Sequence, residues 1–254
     1  MDGKGRTPFT FEDIKGMVFN MTVGSVVDIT PLGIYRILST NVGEGFLLDT
    51  APLRVTLTKY LAQMGYKLVG DLYLPTCIST VDEETGLPVR ICSDDPKVKN
   101  LPLIDVLMAS AAMPVIFPSQ SIRGFTPPFG SGIFVDGGVG IDMIPTDPAY
   151  ERDLDEVYII TRQWELNDAK KMPKVLKDIK IVANALNTFN NFLQASFLSG
   201  LSSSYTARMP SYSYIPVLPV DFGVLDFDQG KLMYDMTKNW THVNTPICMN
   251  CQKR

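Results

Sequence analysis

The stretch "GIFVDGGVGIDMIP", Gly132 to Pro145, constrains this chain more than any other. An apolar run delivers an aspartate, Asp136, to what reads as the tip of a buried strand, and Gly137 and Gly138 follow at once. The carboxyl ends of parallel strands are where layered α/β folds hold their ligands. Glycine there opens backbone angles closed to other residues and lets a second segment approach closely. Such a carboxylate would orient a nucleophile or take its proton, provided that partial burial raised its pKa from the usual value of about 3.9. On these residues alone a plain Asp-Gly turn is the simpler reading.

Helical and strand-like patterns alternate around the motif. "TFEDIKGMVFNM" spaces Phe11, Ile14, Met17, Val18 and Met21 as a helix with Thr10 as its N-cap. A second helix is expected from Thr30, with Pro31 at its first position. A third is expected after Thr50, with Pro52 in its first turn and Gly65 as its stop. "LYLPTCISTV" and "LPVRICS", joined by "DEETG", read as a β-hairpin. "LPLIDVLMASAAM" returns to helical spacing until Pro114 ends it. The loop "RGFTPPFGSG" then precedes the strand "IFV", and "EVYIITR" reads as a strand buried on both faces. Roughly residues 170 to 208 read as helical, "YSYIPVLPV" as a strand and "DFDQGKLMYDMTKNW" as a final helix. The alternation predicts an α/β layered fold with a mainly parallel sheet.

Composition removes several classes of function. A net charge of -4 argues against nucleic acid as the main partner, because phosphate binding wants a basic face. No apolar run reaches the roughly eighteen residues of a membrane-spanning helix, and the start lacks the apolar core of a signal peptide. An intracellular protein, soluble or at most peripherally associated with membrane, is expected. Cys77, Cys92, Cys248 and Cys251 are expected as reduced thiols; "CMNC" supplies only half of a zinc site, so neither metal nor cofactor is expected. The single histidine, His242, lies close to the C-terminus, so acyl transfer would have to run without imidazole.

Taken together, "GFLLDTAPLRVTL", "ISTVDEETGLPV", "ASAAMPVIFPS" from Ala109 to Ser119, the Asp-Gly-Gly turn and "VLDFDQGKLMYDM" resemble the patatin-like phospholipases. The similarity covers roughly residues 43 to 240 in the family's order. It implies a three-layer α/β fold and a lipid acyl hydrolase that works through a serine-aspartate dyad without histidine. By resemblance Asp136 is the dyad's acid member, Gly137 and Gly138 are its supporting turn, and the substrate is a glycerolipid or phospholipid. Residues 1–42 are then a helical N-terminal segment, 43–245 the patatin-like part and 246–254 a tail.

The resemblance implies two further elements that this sequence does not supply. One is a glycine-rich oxyanion loop after the first strand; the other is a Gly-x-Ser-x-Gly elbow that carries the nucleophile. The 254 residues contain no such elbow. In "GSVVD" at Gly24, Ser25 stands one place too early; in "GLSSS" at Gly200, Ser202 is followed by Ser204 where a glycine belongs. The nucleophile is therefore unassigned. Three arrangements are open: a fragment of a longer protein, a subunit completed by a protein partner, or an inactive relative acting as a scaffold. Phe125 and Phe129, in "GFTPPFG", are candidates for a lipid-facing loop.

Overall fold

The computed structural model describes residues 9–28, 48–114, 116–139, 144–161, 207–220 and 226–251. They fall into two compact units, Met1–Gly137 and Gly138–Arg254. The expected helix from Thr30, the helical region around 170–208 and the serines near Gly200 lie largely or wholly outside the described residues.

In the first unit, helix α1 (Phe11–Phe19) begins with a capping box. The Thr10 hydroxyl accepts from the Asp13 N–H, and the Asp13 carboxylate accepts from the Thr10 N–H. Helix α2 (Ala51–Met64) has proline in its first turn and ends at Gly65, whose φ of 71° is the left-handed cap that glycine adopts without steric cost. Strands β1 (Cys77–Asp82) and β2 (Pro88–Cys92) form the expected hairpin. Helix α3 (Leu103–Ser110) stops earlier than Pro114 and buries Leu103, Val106, Met108 and Ala109.

Strands β3 (Gln120–Ser121) and β4 (Ile133–Asp136) complete a sheet of order β2-β1-β4-β3. Helix α3 packs on β1 and β4, and the core gathers around Phe134, Ile91, Leu103 and Val106, all essentially inaccessible to water. Strand β4 runs antiparallel to both neighbours, so Asp136 does not end a parallel strand as the sequence reading expected. The reason is the connection. Between β3 and β4 the chain returns through a loop without helix, whereas a parallel pair requires a crossover of a dozen or more residues.

The second unit contains α4 (Asp147–Tyr150), β5 (Val157–Ile160), β6 (Ser211–Tyr214), α5 (Gly230–Val243) and β7 (Ile247–Cys248). Here β5 and β6 are parallel and β7 joins β6 antiparallel. Strand β5 is not buried on both faces as expected. It alternates, with Val157 and Ile159 inside, Tyr158 and Ile160 outside, and Tyr158 stacked on Tyr212 at 5.3 Å. No helix among the described residues is long and apolar enough to cross a membrane.

The four cysteines are not reduced thiols. Cys77 is bonded to Cys92 across the hairpin, and Cys248 to Cys251 within "CMNC". Spacing along the chain pairs no cysteine of one strand with one of the next; in the fold, antiparallel register makes Cys77 and Cys92 direct cross-strand partners.

Candidate functional site

Two neighbouring segments, β1 and the turn after α3, hold Asp136 at the end of β4. The register puts Thr80 of β1 opposite it, with Val81 facing Val135 and Asp82 facing Phe134. Phe134 and Val135 are buried, while Asp136 is half-buried, so the strand hands its carboxylate from the core to the rim. The Asp136 N–H donates to the Ala112 carbonyl at 2.9 Å, just beyond the end of α3. The buried Thr80 hydroxyl donates to the Val135 carbonyl at 2.6 Å. The peptide group that leads into the acid is thus held at both its N–H and its carbonyl.

The supporting glycine is explained by space. Gly137 is buried, and a Cβ built on it would lie 2.6 Å from the Ser79 carbonyl oxygen and 2.7 Å from the Ser79 carbonyl carbon. Real Cβ atoms do not approach backbone so closely, and Ser79 is locked in β1. Gly137 therefore allows close approach, one of the two roles that the sequence suggested. Gly138 follows in the same single 3-10 turn, Gly137–Val139, and is half-buried.

The small residues before the motif also find a reason. Ala109 and Ala112 are fully buried beneath the sheet end, where the Ala112 carbonyl reaches the Asp136 backbone. Two further aspartates, overlooked in the sequence, brace this part of the unit. Asp105, buried in the first turn of α3, accepts from Arg54 Nη1 at 2.7 Å and Arg123 Nε at 2.6 Å, while Arg54 also reaches Gln120 Oε1 at 3.2 Å. Burial pushes the Asp105 carboxyl up, but the hydrogen bonds and charges of Arg123 and Arg54 outweigh it and hold it below the usual carboxylate value.

Asp82 is the second. It is inaccessible to water and accepts from the Thr85 N–H and hydroxyl, both at 3.0 Å, and from the Gly132 N–H at 3.1 Å. Burial pushes this carboxyl up too, and the donors on Thr85, Gly132 and Ser131 more than offset it. The sequence did carry a signal: an aspartate three residues before Thr85 and closing an apolar strand suits a side-chain-capped turn.

The loop leading into β4 separates the two phenylalanines. Phe125 turns inward and stacks on Phe134 at 5.8 Å, so it belongs to the core. Phe129 is 74% exposed. Gly130 beside it has φ +108°, and a side chain there would collide with the Asp82 carboxylate. Of the candidate serines, Ser25 accepts from the Thr22 N–H and donates to the Thr22 carbonyl, a local turn-closing role. Ser202 lies outside the described residues.

Among the described residues, one group has metal-ligand spacing: Cys77, Cys92 and Asp94, with ligand atoms within 4.8 Å of one another. Joined as a disulfide, the two sulfurs offer no thiolate, and the group does not fit a metal in this state.

The profile of the patatin-like phospholipase family matches residues 8–150, more than half of the 254 residues and inclusive of Asp136 and its turn. The chain belongs to the patatin-like phospholipase family. No curated protein matches it. Within this patatin-like chain the matched segment contains the whole β2-β1-β4-β3 sheet and α3, so every contact described above for Asp136 lies inside it. Membership supports descent from lipid acyl hydrolases; the chemistry of this particular chain depends on what meets Asp136.

Proposed function

We propose that this chain is the aspartate-bearing part of a lipid acyl hydrolase, with the nucleophilic serine supplied by polypeptide outside the 254 residues. The observation that carries the reading is the fixation of Asp136. Its own N–H is tied to Ala112, the preceding carbonyl to Thr80, and the following residue is held to glycine by Ser79. A plain surface turn requires none of these constraints. In the reaction, the serine hydroxyl attacks the ester carbonyl of a glycerolipid while Asp136 takes its proton. The alcohol leaves with that proton, and water, activated by the same carboxylate, hydrolyses the acyl-serine. The exposed Phe129 gives the loop before β4 an apolar contact for the lipid surface.

A second reading, a non-catalytic subunit, is favoured by one specific observation. The hydroxyl opposite Asp136, on Thr80, is committed to the Val135 carbonyl, and the sequence has no Gly-x-Ser-x-Gly elbow to supply another. One experiment separates the two. The 254-residue chain and the native species that contains it are incubated with a fluorogenic ester and a covalent serine-hydrolase probe. The hydrolase reading expects turnover and labelling of the native species alone, with Asp136→Asn lowering turnover by about 10²–10⁴-fold. A native species that neither hydrolyses nor labels, and whose assembly is indifferent to Asp136→Asn, supports the scaffold reading.

A further inference from the structure

Beyond any acyl-hydrolase role, we infer that Cys248 and Cys251 form a redox-active dithiol that exchanges with a small thiol–disulfide couple. The two disulfides of the chain differ in what they hold. Cys77–Cys92 closes a separation of 15 residues between adjacent strands, whereas Cys248–Cys251 closes a separation of 3. A cross-link over so short a loop removes little freedom from the unfolded chain, so it adds less stability than the Cys77–Cys92 bond.

Nor is it needed to shape its own loop. The two residues between the cysteines already fasten "CMNC" to β6. The Asn250 side chain accepts from the Ser211 N–H at 3.0 Å and donates to the carbonyls of Ala207 and Met209 at 3.0 and 2.8 Å. Met249 is buried, its N–H donates to the Ser211 carbonyl at 2.8 Å, and its sulfur accepts from the Ser213 hydroxyl at 3.1 Å. Met249 and Asn250 thus point inward, which leaves Cys248 half-buried and Cys251 exposed. Opening the disulfide leaves these anchors intact, and the two sulfurs remain poised to close again.

The pair is also asymmetric. The Cys251 N–H donates to Cys248 Sγ at 3.0 Å, which favours negative charge on that sulfur once the bond is reduced. Cys248 is therefore the attacking thiolate and Cys251 the resolving thiol. The Cys248 thiolate attacks one sulfur of a small disulfide RSSR, forming a Cys248–SR mixed disulfide and releasing RS⁻, which takes up a proton from water. Cys251, giving its proton to water, then attacks Cys248 Sγ, restores the internal disulfide and releases the second RS⁻. The net exchange is dithiol plus RSSR to disulfide plus two RSH, and the reverse direction consumes two thiols.

The test equilibrates the full 254-residue chain with graded ratios of reduced and oxidised glutathione, traps free thiols by alkylation and scores each cysteine pair by peptide mass spectrometry. The Cys248–Cys251 pair is expected to reduce with an equilibrium constant at least about tenfold more favourable than Cys77–Cys92, or about 30 mV. Cys251→Ser is expected to accumulate a glutathione adduct on Cys248 that wild type does not retain. Equal reduction of the two pairs, or no adduct in Cys251→Ser, overturns the inference. So does one zinc ion bound per reduced chain with Cys248 and Cys251 protected from alkylation, which would reassign the pair to metal binding.

Discussion

Gly137 and Ser79 are in such close backbone contact that a methyl group on the glycine would sit 2.6 Å from the serine's carbonyl oxygen. This contact, between the turn after β4 and the middle of β1, fixes where the half-buried Asp136 carboxylate emerges. Gly137→Ala forces β1 or the turn to shift and is expected to destabilise by about 1–3 kcal/mol. Gly16→Ala, in the interior of α1 with nothing within 4 Å of the added carbon, is expected to stabilise by about 0.5–1 kcal/mol. Urea unfolding of the two variants reads the opposite signs.

The buried Asp105 makes a second prediction about which side of an ion network matters. Its side chain is 3% exposed, against 38% for Arg54 and 72% for Arg123. Removing both arginines strands a buried carboxylate without a partner, at a cost of about 3–5 kcal/mol. Asp105→Ala leaves two guanidinium groups that water already reaches, and is expected to cost less than the arginine double variant. Chemical denaturation of the three single and the double variants checks the order.

Acid should loosen the first unit through the same kind of carboxylate. Asp82 and Asp105 both titrate below their ordinary value in the folded chain, so each contributes stability that is present above the unfolded pKa of about 3.9 and is lost as pH falls through the folded value. Stability is expected to be flat with respect to these two groups from neutral pH to about 5, then to fall below about 4. Asp82→Asn leaves donors of Thr85 and Gly132 poorly matched, costs about 1–3 kcal/mol at neutral pH and flattens the acid slope. Urea titrations between pH 2.5 and 7 measure both effects.

The two loop phenylalanines should separate cleanly. Phe125→Ala opens space beside Phe134 and is expected to cost about 2 kcal/mol, less than the 3–5 kcal/mol of a fully buried ring. Phe129→Ala should change stability by no more than about 0.5 kcal/mol. If the loop meets lipid, Phe129→Ala lowers flotation with phosphatidylcholine vesicles while the unfolding midpoint stays put.

Local chemistry was legible in the sequence by itself. Thr10 and Asp13 cap α1, Gly65 ends α2, and "DEETG" turns the hairpin, because each depends on residues within a few positions of one another. The ordered motifs around Asp136 placed the chain among patatin-like proteins for the same reason: they are read along the chain. Tertiary structure decided what depends on distant segments meeting. It set β4 antiparallel to β1 and β3, turned Phe125 into the core and drew Arg54, Asp105 and Arg123 together from two helices and a turn. It also joined Cys77 to Cys92. A one-dimensional pattern records which side chains favour burial or a turn; it does not record which backbone will lie 2.6 Å from the place where a glycine has no Cβ.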